Sequence, residues 1–441
     1  MLRLAEAADG FLARVRLPGG LVSSAQLREL AALSVELGDG RVELTSRANV
    51  QLRGLAAAAA EPLTGALIRA GLLPSLSHDR VRNVLASPLA GLDNAPGTSG
   101  ADLTEILRAL DTMLCARPRL AELSGRFLFA IDDGRGDVAG LGADVIAAMQ
   151  PDGANVNGLA IRPGTADAAG AGAYGTDGQD ARDVPDSLRD AIVAVMLAYA
   201  DAFLDLRAEL GSTAWRIADL PGGGDQIRAV VSDRLGLPAS PTAQPDVAAA
   251  GGSAELGRAS NVGAVPARRA PATKGVEPDA ATPSRPVGLV TRRQTGGGTE
   301  SPASVRDDHD SSVVLLAPLG RLTAAQLTWV ADRATDVPAR ITPWRSVVLP
   351  HVTGAGRLLR DAAALGFGTD QASPWLRVTA CAGRPGCASA LADVQADAGA
   401  FAARWPERLV HVSGCSRHCG RPAATEIDVT ATSEGYEVAG I

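Results

Sequence analysis

The chain has 441 residues, 46% of them hydrophobic but only 3% aromatic, and it carries a formal net charge of −7. That length supports about two or three domains whose cores are built from Leu, Val, Ile and Ala, and the acidic balance argues against a nucleic-acid-binding protein. The opening MLRLAEAADGFLARVRL contains no uninterrupted apolar stretch, and no run reaches the roughly 20 apolar residues of a membrane span, so neither a secretory signal nor a membrane partner is expected and the expected compartment is the cytoplasm.

Residues 11–55 read as strand, helix, strand. FLARVRL alternates, SSAQLRELAALSVEL has apolar residues at helical spacing behind a serine cap, and RVELTSRANVQLRGL alternates again. A second copy of this half of a ferredoxin-like unit occupies 313–350, where APLGRLTAAQL aligns with LPGGLVSSAQL and RITPWRSVVL with ELTSRANVQL. A repeat separated by about 300 residues is not a solenoid period; it suggests a duplicated ancestor whose halves pair. Each half is expected to lead into a larger lobe. The first holds the polar loop HDRVRNVLASPLAGLDNAPG, a helix near 102–117, strands at 125–134 and 155–164, and a helix around 185–210. The second is expected to be mostly helical over 353–400 and built of short strands over 407–441. From 220 to 312 the chain has no Phe, Trp or Tyr at all, and its Ala, Gly, Pro, Ser, Thr and Arg cannot bury enough apolar surface to offset ordering entropy. It reads as a disordered linker with a short helix at 224–235. The expected divisions are therefore 1–71, 72–219, 220–312, 313–352 and 353–441. The fold class is α+β, two pseudo-symmetric half-domains each followed by an α/β lobe.

Four of the five cysteines lie in the last lobe: Cys381 and Cys387 form C-x5-C in TACAGRPGCAS, and Cys415 and Cys419 form C-x3-C in HVSGCSRHCGRP. Clustered cysteines in such a chain read as metal ligands rather than disulfides. Zinc knuckles favour two- to four-residue gaps, whereas a longer Gly- and Pro-containing loop can wrap the corner of an iron–sulfur cubane, with Gly383 and Gly386 letting backbone N–H groups approach the sulfides. Structural zinc and four buried thiols are the alternatives. Cys115 reads as a small buried residue of a helix.

At these residues a resemblance appears. C-x5-C followed by G-C-x3-C-G resembles the [4Fe–4S] motif of the sirohaem-dependent nitrite and sulfite reductase family, and VELTSRANVQLRGL (42–55) and RVRNVLASPLAGLD (80–93) resemble its two tetrapyrrole-contacting stretches. RNVLASPLAG and TPWRSVVLP (342–350) are most similar to the precorrin-3B synthase branch, which acts in aerobic cobalamin biosynthesis. The resemblance covers most of the chain except about 220–312, and GYEVAGI stops a little before the family's usual terminus. It implies Cys381, Cys387, Cys415 and Cys419 as cluster ligands, with Cys419 the thiolate that bridges to a tetrapyrrole iron in the reductases. It also implies Arg47, Asn49, Gln51, Arg53, Arg80, Arg82, Asn83 and Arg126 as contacts to tetrapyrrole carboxylates. Guanidinium suits that role because it binds carboxylate bidentately and never loses its charge. Where the reductases carry two basic residues separated by one position, this chain has Arg126 and Leu128, which shifts the expected reaction from reducing a small oxyanion toward oxidising the macrocycle.

The activity so implied is oxygen-dependent hydroxylation of precorrin-3A to precorrin-3B. Its requirements would be a [4Fe–4S] cluster feeding electrons, a mononuclear non-haem iron, molecular oxygen, and an electron donor such as NADH, a reductase or ferredoxin. No motif assigns catalytic residues or the ligands of that iron among His78, His309, His351, His411 and His418. A nitrite or sulfite reductase carrying sirohaem is the alternative. A non-catalytic iron–sulfur protein that binds a tetrapyrrole or senses oxygen is a third reading.

Overall fold

The computed structural model describes residues 2–93, 95, 98–152, 155–164, 184–236, 291–292, 311–334, 336–422 and 424–440. The first half-domain comprises β1 (Ala5–Ala7), β2 (Gly10–Val15), β3 (Leu21–Val22), α1 (Ser24–Leu37), β4 (Arg41–Leu44), β5 (Val50–Leu55) and α2 (Ala60–Arg69). Helix α1 begins where the sequence says it should, because the Ser23 hydroxyl accepts from the Gln26 N–H while the Gln26 side chain accepts from the Ser23 N–H. The long strand expected over 41–55 is two strands, broken by a turn over 45–49 in which Ala48 takes a left-handed φ of 53°.

The first lobe follows, with β6 (Val84–Ala86), α3 (Thr104–Cys115), β7 (Phe129–Asp132), β8 (Val145–Asp152), β9 (Asn155–Pro163), α4 (Asp186–Glu209) and α5 (Gly223–Leu235). Strands β6, β7 and β8 run parallel and β9 closes the sheet antiparallel. Strand β6 lies inside the stretch expected to be a loop, because Val84, Leu85 and Ala86 are all buried beside β7. Helix α5 lies within the segment read as linker, and its Ile227 and Val231 are buried in the lobe's core. Nearly all the rest of that segment lies outside the described residues.

The second half-domain has β10 (Thr291–Arg292), β11 (Ser311–Leu316), β12 (Arg321–Thr323), α6 (Ala324–Ala331), β13 (Ala339–Ile341) and β14 (Ser346–Val352), followed by α7 (Ala355–Ala364). Its helix α6 repeats the α1 cap with Thr323 and Gln326. The turn over 342–346 repeats the turn over 45–49, with Arg345 left-handed at φ 61° where the first copy has Ala48. The two halves exchange strands: β12 pairs with β4 in the first sheet, order β1-β2-β5-β4-β12, and β3 pairs with β13 in the second, order β10-β11-β14-β13-β3. Helices α1 and α6 pack together over one continuous core that runs from Leu27 and Leu30 to Leu327 and Val330. Because each half completes the other's sheet, neither can bury its edge alone.

The last lobe contains β15 (Val378–Ala380), α8 (Val394–Arg404), β16 (Val410–Ser413), β17 (Ile427–Thr432) and β18 (Gly435–Gly440), with β15, β16 and β17 parallel. The expectation of a mostly helical 353–400 is corrected here. Cys381 follows a strand, and Cys387 lies in the loop between that strand and α8.

Candidate functional site

Alternation along β2 puts Ala13, Val15 and Leu17 into the core and turns Arg14 and Arg16 the other way. Those two arginines, with Arg47 from the first turn, Arg126 from the stretch before β7 and Arg345 from the second turn, line a cavity of about 660 Å³. Cys381 and Cys419 line the same cavity. Among the described residues Arg14, Arg16, Arg47, Arg80 and Arg126 make no ion pair with a carboxylate; Arg47 donates only to the Gly125 carbonyl, at 3.0 Å. The Nε of Arg16 is buried without a hydrogen-bond partner. Burial foremost, opposed by Asp79 and helped by Arg14, Arg47 and Arg80, lowers the Arg16 pKa to about 10. Arg47 is lowered for the same first reason, with Arg216 and Arg126 adding to it. A cavity that makes its own cations less comfortable is one that an anion would relieve.

The other expected contacts divide. Asn49 and Gln51 reach the same cavity, and Gln51 donates to Glu43 at 2.8 Å. Arg53 lines it too, but its guanidinium is held by Asp9 through bonds of 3.0 and 2.9 Å and also donates to the Gly386 carbonyl at 3.2 Å. Burial opposes its charge, and the Asp9 bond outweighs that and raises its pKa. Arg53 thus fastens the first cysteine loop to the half-domain sheet. Arg80 is exposed and faces a second chamber beside the cavity.

Arg82 does not face the cavity. It makes a bidentate pair with Asp111 at 2.6 and 2.7 Å and donates to the Leu72 carbonyl at 3.0 Å, beneath α3. Asn83 is fully buried; its amide donates to the Arg80 and Gly125 carbonyls at 3.0 and 3.1 Å and accepts from Asn49 at 3.4 Å, tying the lobe to the half-domain. Leu128, read as the lost cation, is buried with Ala48, Leu85 and Trp344. Position 128 therefore offers no cation to the cavity, while Arg14, Arg16 and Arg345, which the sequence reading did not single out, line it. The alternation of FLARVRL already set Arg14 and Arg16 on one face.

The thiols of Cys381, Cys387 and Cys415 are half-buried and that of Cys419 is exposed. Among the described residues the three potential ligand atoms that lie within 4.8 Å of one another belong to Asp132, Asp133 and Asp137. Gly383, at φ 62°, packs against Val394, and a side chain on Gly386 would strike Arg53. A backbone donor to sulfur is Gly414, whose N–H reaches Cys381 Sγ at 3.1 Å. Thiolate is the ligand a cubane takes, and a backbone amide aimed at one of the four sulfurs is the kind of donor such a cluster uses.

The described histidines lie away from the cavity lining. His78 bonds Ser75, Ser77 and the Arg117 carbonyl. His411 is buried in β16 against Thr379, and burial above all lowers its pKa to about 4, against the pull of Asp428. His418 and Arg421 both reach Asp428, at 3.0 and 3.1 Å. The described residues therefore do not gather histidines for a mononuclear iron at the cavity. The acidic trio is occupied by Arg135, which bonds Asp133 and Asp93.

A family profile described as "Nitrite/Sulfite reductase ferredoxin-like half domain" matches residues 4–70. The chain is 26% identical to a ferredoxin–nitrite reductase of Synechococcus elongatus, over 98% of this chain and 78% of that one. It is equally 26% identical to a precorrin-3B synthase of a Sinorhizobium species, over 97% and 79% of the two chains. The structure of the Mycobacterium tuberculosis NirA protein superposes with a TM-score of 0.63 at 22% identity, covering 97% of this chain and 73% of that one. The chain thus carries a nitrite/sulfite reductase ferredoxin-like half-domain within a reductase-like fold, and no helix among the described residues is long and apolar enough to cross a membrane.

Proposed function

We propose that the chain is an oxidoreductase that binds a polycarboxylated tetrapyrrole in the arginine-lined cavity against a [4Fe–4S] cluster held by Cys381, Cys387, Cys415 and Cys419. The reaction proposed is the oxygen-dependent hydroxylation of precorrin-3A to precorrin-3B. The observation that carries this is that Arg14, Arg16 and Arg47, which make no ion pair with a carboxylate among the described residues, line one cavity together with Cys381 and Cys419. An early corrinoid precursor carries eight acetate and propionate arms, and each arm that meets an unpaired guanidinium gains a charge-assisted hydrogen bond and relieves cation repulsion. The TPWRS turn, one of the two stretches most like precorrin-3B synthases, adds Arg345 to the same wall.

When bound, the cluster would supply single electrons. In a monooxygenation one atom of O₂ enters the macrocycle and the other leaves as water, consuming two electrons and two protons, so a donor such as NADH through a reductase, or ferredoxin, is required. The chain's own contribution is to hold the carboxylates and to tie the cysteine loop in place through Arg53. Since the described histidines do not collect at the cavity, no step is assigned to a mononuclear iron.

The second reading is a nitrite or sulfite reductase with sirohaem in this cavity. The cations at the wall, Arg47 and Arg126 included, and the similarity to a nitrite reductase favour it. The two readings separate in one preparation. Anaerobically purified protein given precorrin-3A, reductant and labelled O₂ should yield a product with one labelled oxygen, and its spectrum should show a broad cluster shoulder. Sharp sirohaem bands with six-electron reduction of nitrite or sulfite, and no change in the precorrin, would establish the second reading instead.

A further inference from the structure

The last lobe buries polar side chains on one face of its sheet. Alternation sends Val410, Val412, Val429 and Ala431 into the core under α8, so His411 and Ser413 of β16 and Asp428 of β17 turn to the other face. These three are nonetheless shut from solvent, at 0%, 0% and 7% exposure. His411 and Asp428 are register partners, and Thr379 of β15, which bonds the His411 ring at 2.8 Å, extends the row across the sheet. Asp428 is used unevenly. Its Oδ2 has His418 Nδ1 at 3.0 Å and Arg421 Nε at 3.1 Å, while its Oδ1 is buried without a hydrogen-bond partner. Burying a carboxylate with one idle oxygen is unfavourable, and both groups at its other oxygen come from one place, the segment that carries Cys415 and Cys419. The amide bonds within that segment are long, 3.4 Å from His418 to the Cys415 carbonyl and 3.2 Å from Arg421 to the His418 carbonyl. His418 also takes a left-handed φ of 47°, which crowding at Cβ disfavours and glycine tolerates.

Resting on the reading of Cys415 and Cys419 as cluster ligands, we propose that Asp428 is the positioning residue of the C-x3-C loop. Its carboxylate draws in the His418 ring and the Arg421 guanidinium, and so holds His418 in a left-handed turn that its own side chain disfavours. That turn sets the directions in which Cys415 and Cys419 leave the backbone, so Asp428 acts on the sulfurs through the loop. The C-x5-C loop is fastened separately, by Arg53 at the Gly386 carbonyl, and each cysteine pair thus has its own anchor.

Position 418 gives the test, because glycine enters a left-handed turn freely and alanine does not. Its side chain is 37% exposed, so both variants keep the fold. The full chain, purified anaerobically with its cluster, is followed by the rate of iron release to a chelator and by the electron paramagnetic resonance spectrum of the reduced cluster. His418→Ala loses the hold of Asp428 and keeps the crowding, so iron release should rise about fivefold or more and the spectrum should broaden. His418→Gly loses the hold and the crowding together and should stay within about twofold of the parent. Asp428→Ala should release iron at least as fast as His418→Ala, and Asp428→Asn, which keeps an acceptor oxygen, should recover part of the loss. In a His418→Gly chain, Asp428→Ala should add about twofold or less. Thr432→Ala, at the far end of β17, should leave both readouts at the parent's values. Equal release from the alanine and glycine variants at 418 would overturn the proposal, and that pair decides even if Asp428→Ala fails to fold. So would an Asp428→Ala effect of the same size with histidine and with glycine at 418, or a Thr432→Ala chain that loses iron as fast. Those outcomes leave the cluster reading standing, since the parent holds its iron; a parent that binds no iron sinks the cluster reading and this role with it.

Discussion

Gly414 joins the two cysteine pairs, and adding one methyl group there gives a sharp test of the cluster geometry. A Cβ on Gly414 would lie 2.7 Å from the Cβ of Ala390 and 3.5 Å from Cys381 Sγ. Carbon atoms rest at about 3.5–4.0 Å, so roughly 1 Å of movement is needed, in a place where Ala390 is buried and the Gly414 carbonyl accepts from the Leu391 N–H at 2.7 Å. The amide of Gly414 now donates to Cys381 Sγ at 3.1 Å, and a displacement of that size stretches the bond past useful length. One such bond is worth about 1 kcal/mol, which for a one-electron couple is about 40 mV. The bond favours the more negative reduced cluster, so Gly414→Ala should lower the reduction potential by tens of millivolts while the iron content stays near that of the parent. Potentiometric titration followed by electron paramagnetic resonance reads both quantities. Ala390→Gly in the same chain removes the clashing methyl and should restore most of the potential. An unshifted potential in Gly414→Ala, or a shift that Ala390→Gly leaves in place, would refute the proposed amide-to-sulfur bond.

Serine at Cys381, Cys387, Cys415 or Cys419 should each cost the protein its iron and sulfide or leave a degraded cluster, whereas Cys115→Ser should not; full occupancy in any of the four would remove that residue from the ligand set. Arg82→Met breaks a buried pair with Asp111 whose side chains are 4% and 19% exposed, so it should destabilise by about 3 kcal/mol, seen as a lower melting temperature, with the affinity for uroporphyrin, a stable porphyrin with eight carboxylates, nearly unchanged. A large loss of affinity with no loss of stability would return Arg82 to the binding site. Burial, with Asp132 and Asp133 nearby, raises the pKa of Asp137 to about 7 against the pull of Ser87 and Arg135. The folded state then holds a proton that the unfolded chain releases near pH 4, so this group's contribution is complete below that pH and is lost as pH rises through about 7. Asp137→Asn should therefore gain on the parent steadily in melting temperature between pH of about 5 and 8, and parallel curves for the two proteins would contradict the raised value.

The sequence by itself determined the local grammar. The caps at Ser23 and Thr323, the two alternating turn-and-strand copies and the paired cysteines are short-range signals, each set by hydrogen bonding or side-chain periodicity within a few residues, and they carried the duplicated half-domain and the candidate cluster ligands. The repeat also suggested that the halves pair, but not that β3 and β12 trade sheets, because the edge a strand joins depends on which partner leaves backbone groups unpaired. Only the tertiary structure sorted the arginines. Arg14, Arg16, Arg47, Arg53 and Arg82 carry the same charge on similar strand-like or turn-like sequence. Asp9 lies 44 residues from Arg53 and Asp111 lies 29 from Arg82, and folding brings each acid to its arginine. The same folding leaves Arg14, Arg16 and Arg47 around a cavity with no ion pair to a carboxylate among the described residues. A buried guanidinium with a carboxylate partner fastens the structure, and one without remains available to a ligand. That distinction depends on long-range neighbours, which residue type and spacing do not encode.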